Sequence, residues 1–165
     1  MTEADILQRQ RRRRDSRSTE HRAAEIEILK LLSEHLGVTL RGKKRISVGH
    51  QKEVEVDGHC KEPKIIVEIY AHVGKLKSAQ VNKIAKDFLK FQLIRAEVGF
   101  FQDSQCIFVC VCESVRRGIR DCWLAAAAKT FGIEIIYLQI DTEQKAVLRS
   151  AQHRQNHLNL TLPVE

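Results

Sequence analysis

Apolar residues recur along this chain with two spacings. Ala24, Ile28, Leu31, Leu32 and Leu36 fall three or four apart and stop at Gly37, which predicts a helix over 19–36. Val81, Ile84, Ala85, Phe88, Leu89 and Phe91 predict a second helix over 78–96, with Ser78 as its cap. A third runs from a Ser114 cap through Ile119, Cys122, Trp123, Ala126 and Ala127 to Phe131, and Gly132 closes it. Asp141 and Gln144 have capping-box spacing ahead of a last helix over 142–154. Between these lie β-branched, apolar runs that predict strands near 45–49, 52–57, 64–71, 106–112 and 133–140. Strand, helix, strand over 106–140 implies parallel pairing with a right-handed crossover. Leu158, Leu160 and Leu162 alternate and suit an edge strand. The expected fold is α/β: a central mixed sheet flanked by helices. Residues 1–18 form a basic arm, 19–141 a single core, and 142–165 a C-terminal helix and tail.

One residue breaks the strand pattern. Ile65 to Tyr70 is apolar on both faces, as in a central strand, except at Glu68. A buried carboxylate needs a cation, a hydrogen-bond partner or a proton. By alternation Ile66, Glu68, Tyr70 and His72 share one face. In the preceding strand Val54 and Val56 point one way, and Glu53, Glu55 and Asp57 the other. Asp57-Gly58 has turn chemistry, so this strand is expected to fold back antiparallel to the next and bring Asp57 to Glu68. Two carboxylates ~4 Å apart repel by about 4 kcal/mol at the effective dielectric of a protein surface. A divalent cation relieves that, and Mg²⁺ takes one or two carboxylates with phosphate oxygens and water. Glu53 and Glu55 equally fit the solvent face of a half-exposed strand. Glu25 and Glu27, near the start of the first helix, read as surface charges.

Composition narrows the class. The chain has 165 residues, 43% hydrophobic and 30% charged, enough for one domain with a real core. No apolar run approaches a membrane span, and the polar, basic start does not resemble a secretory signal. The five cysteines include no CxxC pair and sit in apolar surroundings, which suits reduced core thiols and a cytoplasmic protein. The net charge is +7 and the pI about 9.3, which favours an anionic partner, nucleic acid first. Arg11, Arg12, Arg13 and Arg14 in the arm, Lys43, Lys44 and Arg45 before the first strand, and Arg116 and Arg117 on the third helix are the candidate phosphate contacts. The chain shows neither a Gly-x-Ser-x-Gly elbow nor a phosphate-binding Gly-rich loop.

Glu55-Val56-Asp57-Gly58 on one strand and Glu68-Ile69-Tyr70 on the next resemble the acidic signature of the PD-(D/E)XK nuclease superfamily, which includes restriction-type endonucleases and Holliday-junction resolvases. The order of elements over 20–140 resembles that family's αβββαβ core. The resemblance implies metal-dependent phosphodiester hydrolysis on DNA. Asp57 and Glu68, with Glu55, would hold Mg²⁺ or Mn²⁺, and a homodimer is compatible. Gln80 resembles a glutamine found at the start of the following helix in some branches. Tyr70 stands where the family has its lysine, and Tyr offers no positive charge to a phosphate. Lys75, Lys77 and Lys83 are the candidate replacements. The alternatives are a nucleic-acid-binding protein on a non-catalytic nuclease fold, or a protein-interaction scaffold with Glu68 satisfied by an internal lysine.

Overall fold

The computed structural model describes the backbone of residues 3–159, with the side chains of Thr19 and of 21–153. It is a mixed α/β fold. Helix α1 spans Glu3–Leu36; α2, Ser78–Glu97; α3, Glu113–Arg120; α4, Trp123–Phe131; and α5, Thr142–Asn159. The strands are β1 Lys44–Ser47, β2 Glu53–Val56, β3 Gly58–Cys60, β4 Ile65–Tyr70, β5 Gln105–Cys110 and β6 Ile133–Tyr137. A four-stranded sheet runs β3-β4-β5-β6, antiparallel at β3–β4 and parallel from β4 to β6; β1 and β2 pair as a separate antiparallel ribbon.

Alternation along the central strands gives the sheet two buried faces. Ile66, Tyr70, Cys106, Phe108 and Cys110 face α2, α3 and α4, where Ile84, Phe88, Phe91, Ile119 and Leu124 meet them. Ile65, Val67, Ile69, Ile107 and Val109 face α1 and α5, against Ile28, Leu32 and Leu148. Cys106 and Cys110 are therefore core thiols, and burial pushes them up to about 11 and about 12.

Several elements differ from expectation. Asp57-Gly58 is not a turn. The Asp57 N–H donates to the Val67 carbonyl at 3.0 Å, and the chain runs on into β3 before reversing at 61–64. Gly58 permits this because α1 packs directly on it: a Cβ there would lie 2.4 Å from Leu29 Cδ1. The expected third helix is two, broken at Asp121-Cys122. Ile119 and Leu124 are both fully buried; five residues apart, they would sit roughly 140° apart on one straight helix. The break turns both to the core. It also makes Arg117 and Arg120 last-turn residues of α3, where cations suit the helix dipole. Lys77 and Cys112, not Ser78 and Ser114, occupy the N-cap positions. The Asp141–Gln144 box forms as expected, with backbone-to-side-chain bonds of 2.7 and 3.1 Å. Helix α1 starts at Glu3, so the backbone of residues 3–18 is continuous with it, and Leu158 lies in α5. Leu160 and Leu162 lie outside the described residues. Among the described residues, no helix is long and apolar enough to cross a membrane.

Candidate active site: two opposed acids and a helix-borne lysine

The acidic site forms where β2 passes into β3 beside β4. Gly58 pairs with Val67, so one step along the same register sets Asp57 opposite Glu68. Asp57 is fixed there by its own side chain, whose Oδ2 accepts the Ile69 N–H at 2.9 Å. Glu68 is 3% exposed, within a strand buried at every position.

A lysine answers the buried acid. Lys90, on α2, places its Nζ 2.6 Å from Glu68 Oε1, donates to the Glu55 carbonyl at 2.9 Å, and lies 3.4 Å from Asp87 Oδ1. A second lysine approaches from the other side of the sheet. Lys43 Nζ lies 3.0 Å from Glu25 on α1, 3.6 Å from Asp57 and 3.8 Å from Glu55. Arg45 reaches Glu55 at 3.7 Å on the rim. Asp57 stands between these two ion-paired groups, and both ammonium groups feel its charge.

Five carboxylates thus surround two ammonium groups, and the titration of the buried Glu68, Asp87 and Lys90 reflects that. Burial pushes Glu68 up to about 8, with the charges of Asp57 and Asp87 adding to the rise and Lys90 opposing it. Burial likewise raises Asp87, against the pull of Lys90 and Lys83. For Lys90, burial favours the neutral amine, but Glu68, Asp87 and Asp57 outweigh it and hold the ammonium above its ordinary value. Lys90 therefore favours its ammonium form.

The sequence-predicted residues divide into three places. Asp57 and Glu68 come together, with the Glu55 carbonyl facing Lys90 and the Glu55 carboxylate facing Lys43 and Arg45. Lys75, Lys77 and Lys83 make no ion pair with either acid among the described residues; Lys83 lies over the Tyr70 ring, 5.4 Å from its centroid. Gln80 accepts the Lys77 N–H at 2.8 Å and turns its amide nitrogen to His72. Of the basic candidates, Lys43 turns into the acids, Lys44 lies 5.4 Å from the Phe101 ring centroid, and Arg116 and Arg117 pair with Glu113 at 3.6 and 3.7 Å. Arg11 to Arg14 fall within α1 by backbone; their side chains lie outside the described residues.

Sequence reasoning missed Lys90, Asp87 and Glu25. Lys90 and Asp87 stand three apart on a helix whose polar residues read as plain surface, yet the Asp87 side chain is 14% exposed and that of Lys90 26%. One signal was present: Asp87 and Lys90, three apart, lie along one edge of the buried α2 face formed by Ile84, Phe88, Phe91 and Ile94. Glu25 read as a surface charge, but its side chain is 22% exposed and paired with Lys43.

The donor set is hard oxygen, which is what Mg²⁺ or Mn²⁺ takes. The surplus of carboxylate over ammonium, and the raised pKa of Glu68, fit a site that gains from added positive charge. Among the described residues, however, no three His, Cys, Asp or Glu groups converge as a ready-made metal cluster. Water and phosphate oxygens would have to complete the shell. No protein-family model, curated protein or solved structure matches the chain.

Proposed function

We propose that this protein is a metal-dependent nuclease acting on DNA, with Asp57 and Glu68 as its metal-holding carboxylates and Lys90 in the role of the missing motif lysine. The observation that carries this reading is the 2.6 Å contact between Lys90 Nζ and Glu68 Oε1 at a carboxylate that faces a second acid. A purely structural ion pair would need neither Asp87 against the same ammonium nor Asp57 opposite the same acid. The resemblance stated above supplies the reaction class, and the net charge of +7 suits a polyanionic substrate.

When bound, a divalent cation supplies a water of lowered pKa and a counter-charge for the phosphate. The chain's own residues do the rest. Asp57, held by the Ile69 N–H, keeps Oδ1 turned to the side where Lys43 approaches. Glu68 would give up its proton to serve as a ligand. Lys90, anchored by Asp87 and by the Glu55 carbonyl, sets a permanent positive charge where negative charge develops on the phosphate. Electrostatic stabilisation of this kind typically contributes 10² to 10³ in rate, on the order of 3–4 kcal/mol.

A second reading has one observation in its favour. Lys90 already satisfies Glu68, as a non-catalytic fold of this shape would require, and the basic surface would then only bind nucleic acid. One experiment separates the two. Purified protein is incubated with single-stranded, duplex and branched DNA in Mg²⁺ or Mn²⁺, beside Asp57→Asn and Glu68→Gln. Divalent-dependent cleavage that both variants abolish supports the nuclease. Binding without cleavage, indifferent to both substitutions, supports the second reading and rejects the first.

A further inference from the structure

Just past β4, His72 is held in one tautomer by two glutamines. Gln80, on α2, has its carbonyl oxygen committed to the Lys77 N–H, so its NH₂ group faces His72 Nε2. Gln152, on α5, accepts the Val73 N–H at 2.9 Å and donates to the Val73 carbonyl at 3.0 Å. Its amide nitrogen therefore also points at His72 Nε2, 3.1 Å away. Neither amide can flip without losing a backbone bond. Two donors aimed at Nε2 require a lone pair there, so the proton of the neutral ring sits on Nδ1. Among the described residues, nothing accepts that Nδ1–H.

The surroundings are cationic. Burial first, then the charges of Lys83, His21 and Lys77, disfavour a proton on the ring and keep it neutral. Lys83 lies over Tyr70, and the Tyr70 and His72 rings meet edge-on at 5.5 Å. Lys77 and Lys83, which make no ion pair with Asp57 or Glu68 among the described residues, thus act on a histidine that holds out a free donor.

We propose that His72 Nδ1–H, with the ammonium groups of Lys77 and Lys83, is a phosphate-binding subsite for the DNA strand on which Asp57 and Glu68 act. This rests on the nuclease reading. His72 follows Glu68 by four residues along the same strand direction, about 13 Å at the rise of extended chain. A strand of DNA spans that distance with more than one phosphate. One phosphate meets the acids and Lys90; another, outside the bond being cut, is held at His72. Its polyanion neutralises the Lys77–Lys83 patch and leaves the acids for the cation. His72 is here a positioning residue.

The test uses the full chain and short fluorescein-labelled single-stranded and duplex DNA, with EDTA present so that binding is read without cleavage. His72→Ala is expected to weaken binding about tenfold, as for loss of a hydrogen bond to a charged acceptor. Its salt dependence stays that of the wild type, because the neutral ring displaces no counterion. Lys77→Ala and Lys83→Ala each weaken binding and lower the salt slope by about 0.7 to 0.9. Methylphosphonate replacement, scanned one phosphate at a time, finds a position whose neutralisation weakens the wild type but not His72→Ala. Should His72→Ala fail to fold by circular dichroism, the two lysine variants and the scan against them carry the test. Wild-type affinity in the His72 variant, or a scan in which no position loses its effect, overturns the subsite while cleavage by the wild type keeps the nuclease reading intact. A wild type that neither binds nor cuts DNA overturns both.

Discussion

Lys90 Nζ and Glu68 Oε1 lie 2.6 Å apart although 22 residues separate them in the chain. The acid comes from the middle of a buried strand and the base from the helix packed on that strand. Neither is at home alone: Glu68 is almost wholly out of water, and Lys90 is held by two acids and a backbone carbonyl.

Removing that ammonium should disable the proposed chemistry more than the fold. Lys90→Met keeps the aliphatic stem and is expected to lower cleavage by about 10² to 10³. The loss of stability stays modest below pH 8, because Glu68 can take a proton in place of the salt bridge. Lys90→Arg should not restore the rate, since a planar fork cannot occupy the point between Glu68, Asp87 and the Glu55 carbonyl. Single-turnover cleavage, beside thermal melts of each variant, checks this; full activity in Lys90→Met removes the lysine from the mechanism.

Glu68 also predicts a pH dependence of the apo protein. Its folded pKa, about 8, lies above its ordinary 4.5. A carboxyl raised by folding favours the folded state at pH below the ordinary value and loses that advantage as pH rises through the folded one. Glu68→Gln, which cannot ionise, should therefore gain on the wild type between pH 5 and about pH 8, by on the order of 1 to 4 kcal/mol. Urea melts at both ends of that range measure it. A difference independent of pH means the Glu68 carboxyl does not titrate in this window.

The same proton opposes a cation. If Glu68 must ionise to act as a ligand, the affinity for Mg²⁺ should rise with pH up to about 8 and level off above it. Titration calorimetry in buffers of different ionisation heat should show proton release on binding near pH 7. In Glu68→Gln both the proton release and the pH dependence disappear. Mg²⁺ binding that is flat from pH 6 to pH 9 contradicts the assignment.

Gly58 is expected to be intolerant. Any Cβ there meets Leu29 Cδ1 at 2.4 Å, so Gly58→Ala should cost about 1–3 kcal/mol and displace Asp57 with it. Leu29→Ala should cost stability alone but recover part of the loss in the double variant. A thermodynamic cycle measures that coupling, and simple additivity of the two changes argues against the contact.

Arg95 ties two loops to α2. Its guanidinium donates to the Ser104 carbonyl at 2.7 and 3.1 Å, and to the carbonyls of Phe131 at 2.6 Å and Gly132 at 3.3 Å, at the end of α4. Arg95→Ala should destabilise by about 2 kcal/mol, and Arg95→Lys should recover little, because one ammonium cannot serve all of these carbonyls. Chemical denaturation reads both.

Much of the fold was legible because its signals are local. The period of Ile28, Leu32 and Leu36 declares a helix whatever packs on it. The two-faced apolar runs at 65–70 and 106–110 declare central strands, and Asp141 and Gln144 bond within one turn. Glu68 was legible as a site residue for the same reason, since a charge inside such a run is anomalous by itself. Asp57-Gly58 shows where local signals mislead. Its composition suits a turn, but the ladder bond to Val67 and the closeness of α1 carry the chain on from β2, through a bend at Asp57, into β3.

The sequence by itself determined the elements, the two buried faces and the anomalous acid, because periodicity and composition act between near neighbours along the chain. Only the tertiary structure decided the company that acid keeps. Lys90, Asp87, Lys43 and Glu25 reach the acids from α2, from the lead into β1 and from α1, and Gln152 reaches His72 from α5. In sequence Lys90, Asp87, Glu25 and Gln152 are ordinary polar residues on amphipathic helices, and Lys43 reads as a phosphate contact. Which of them turns inward depends on how the helices lie across the sheet, and that is set by core packing between segments far apart in the chain.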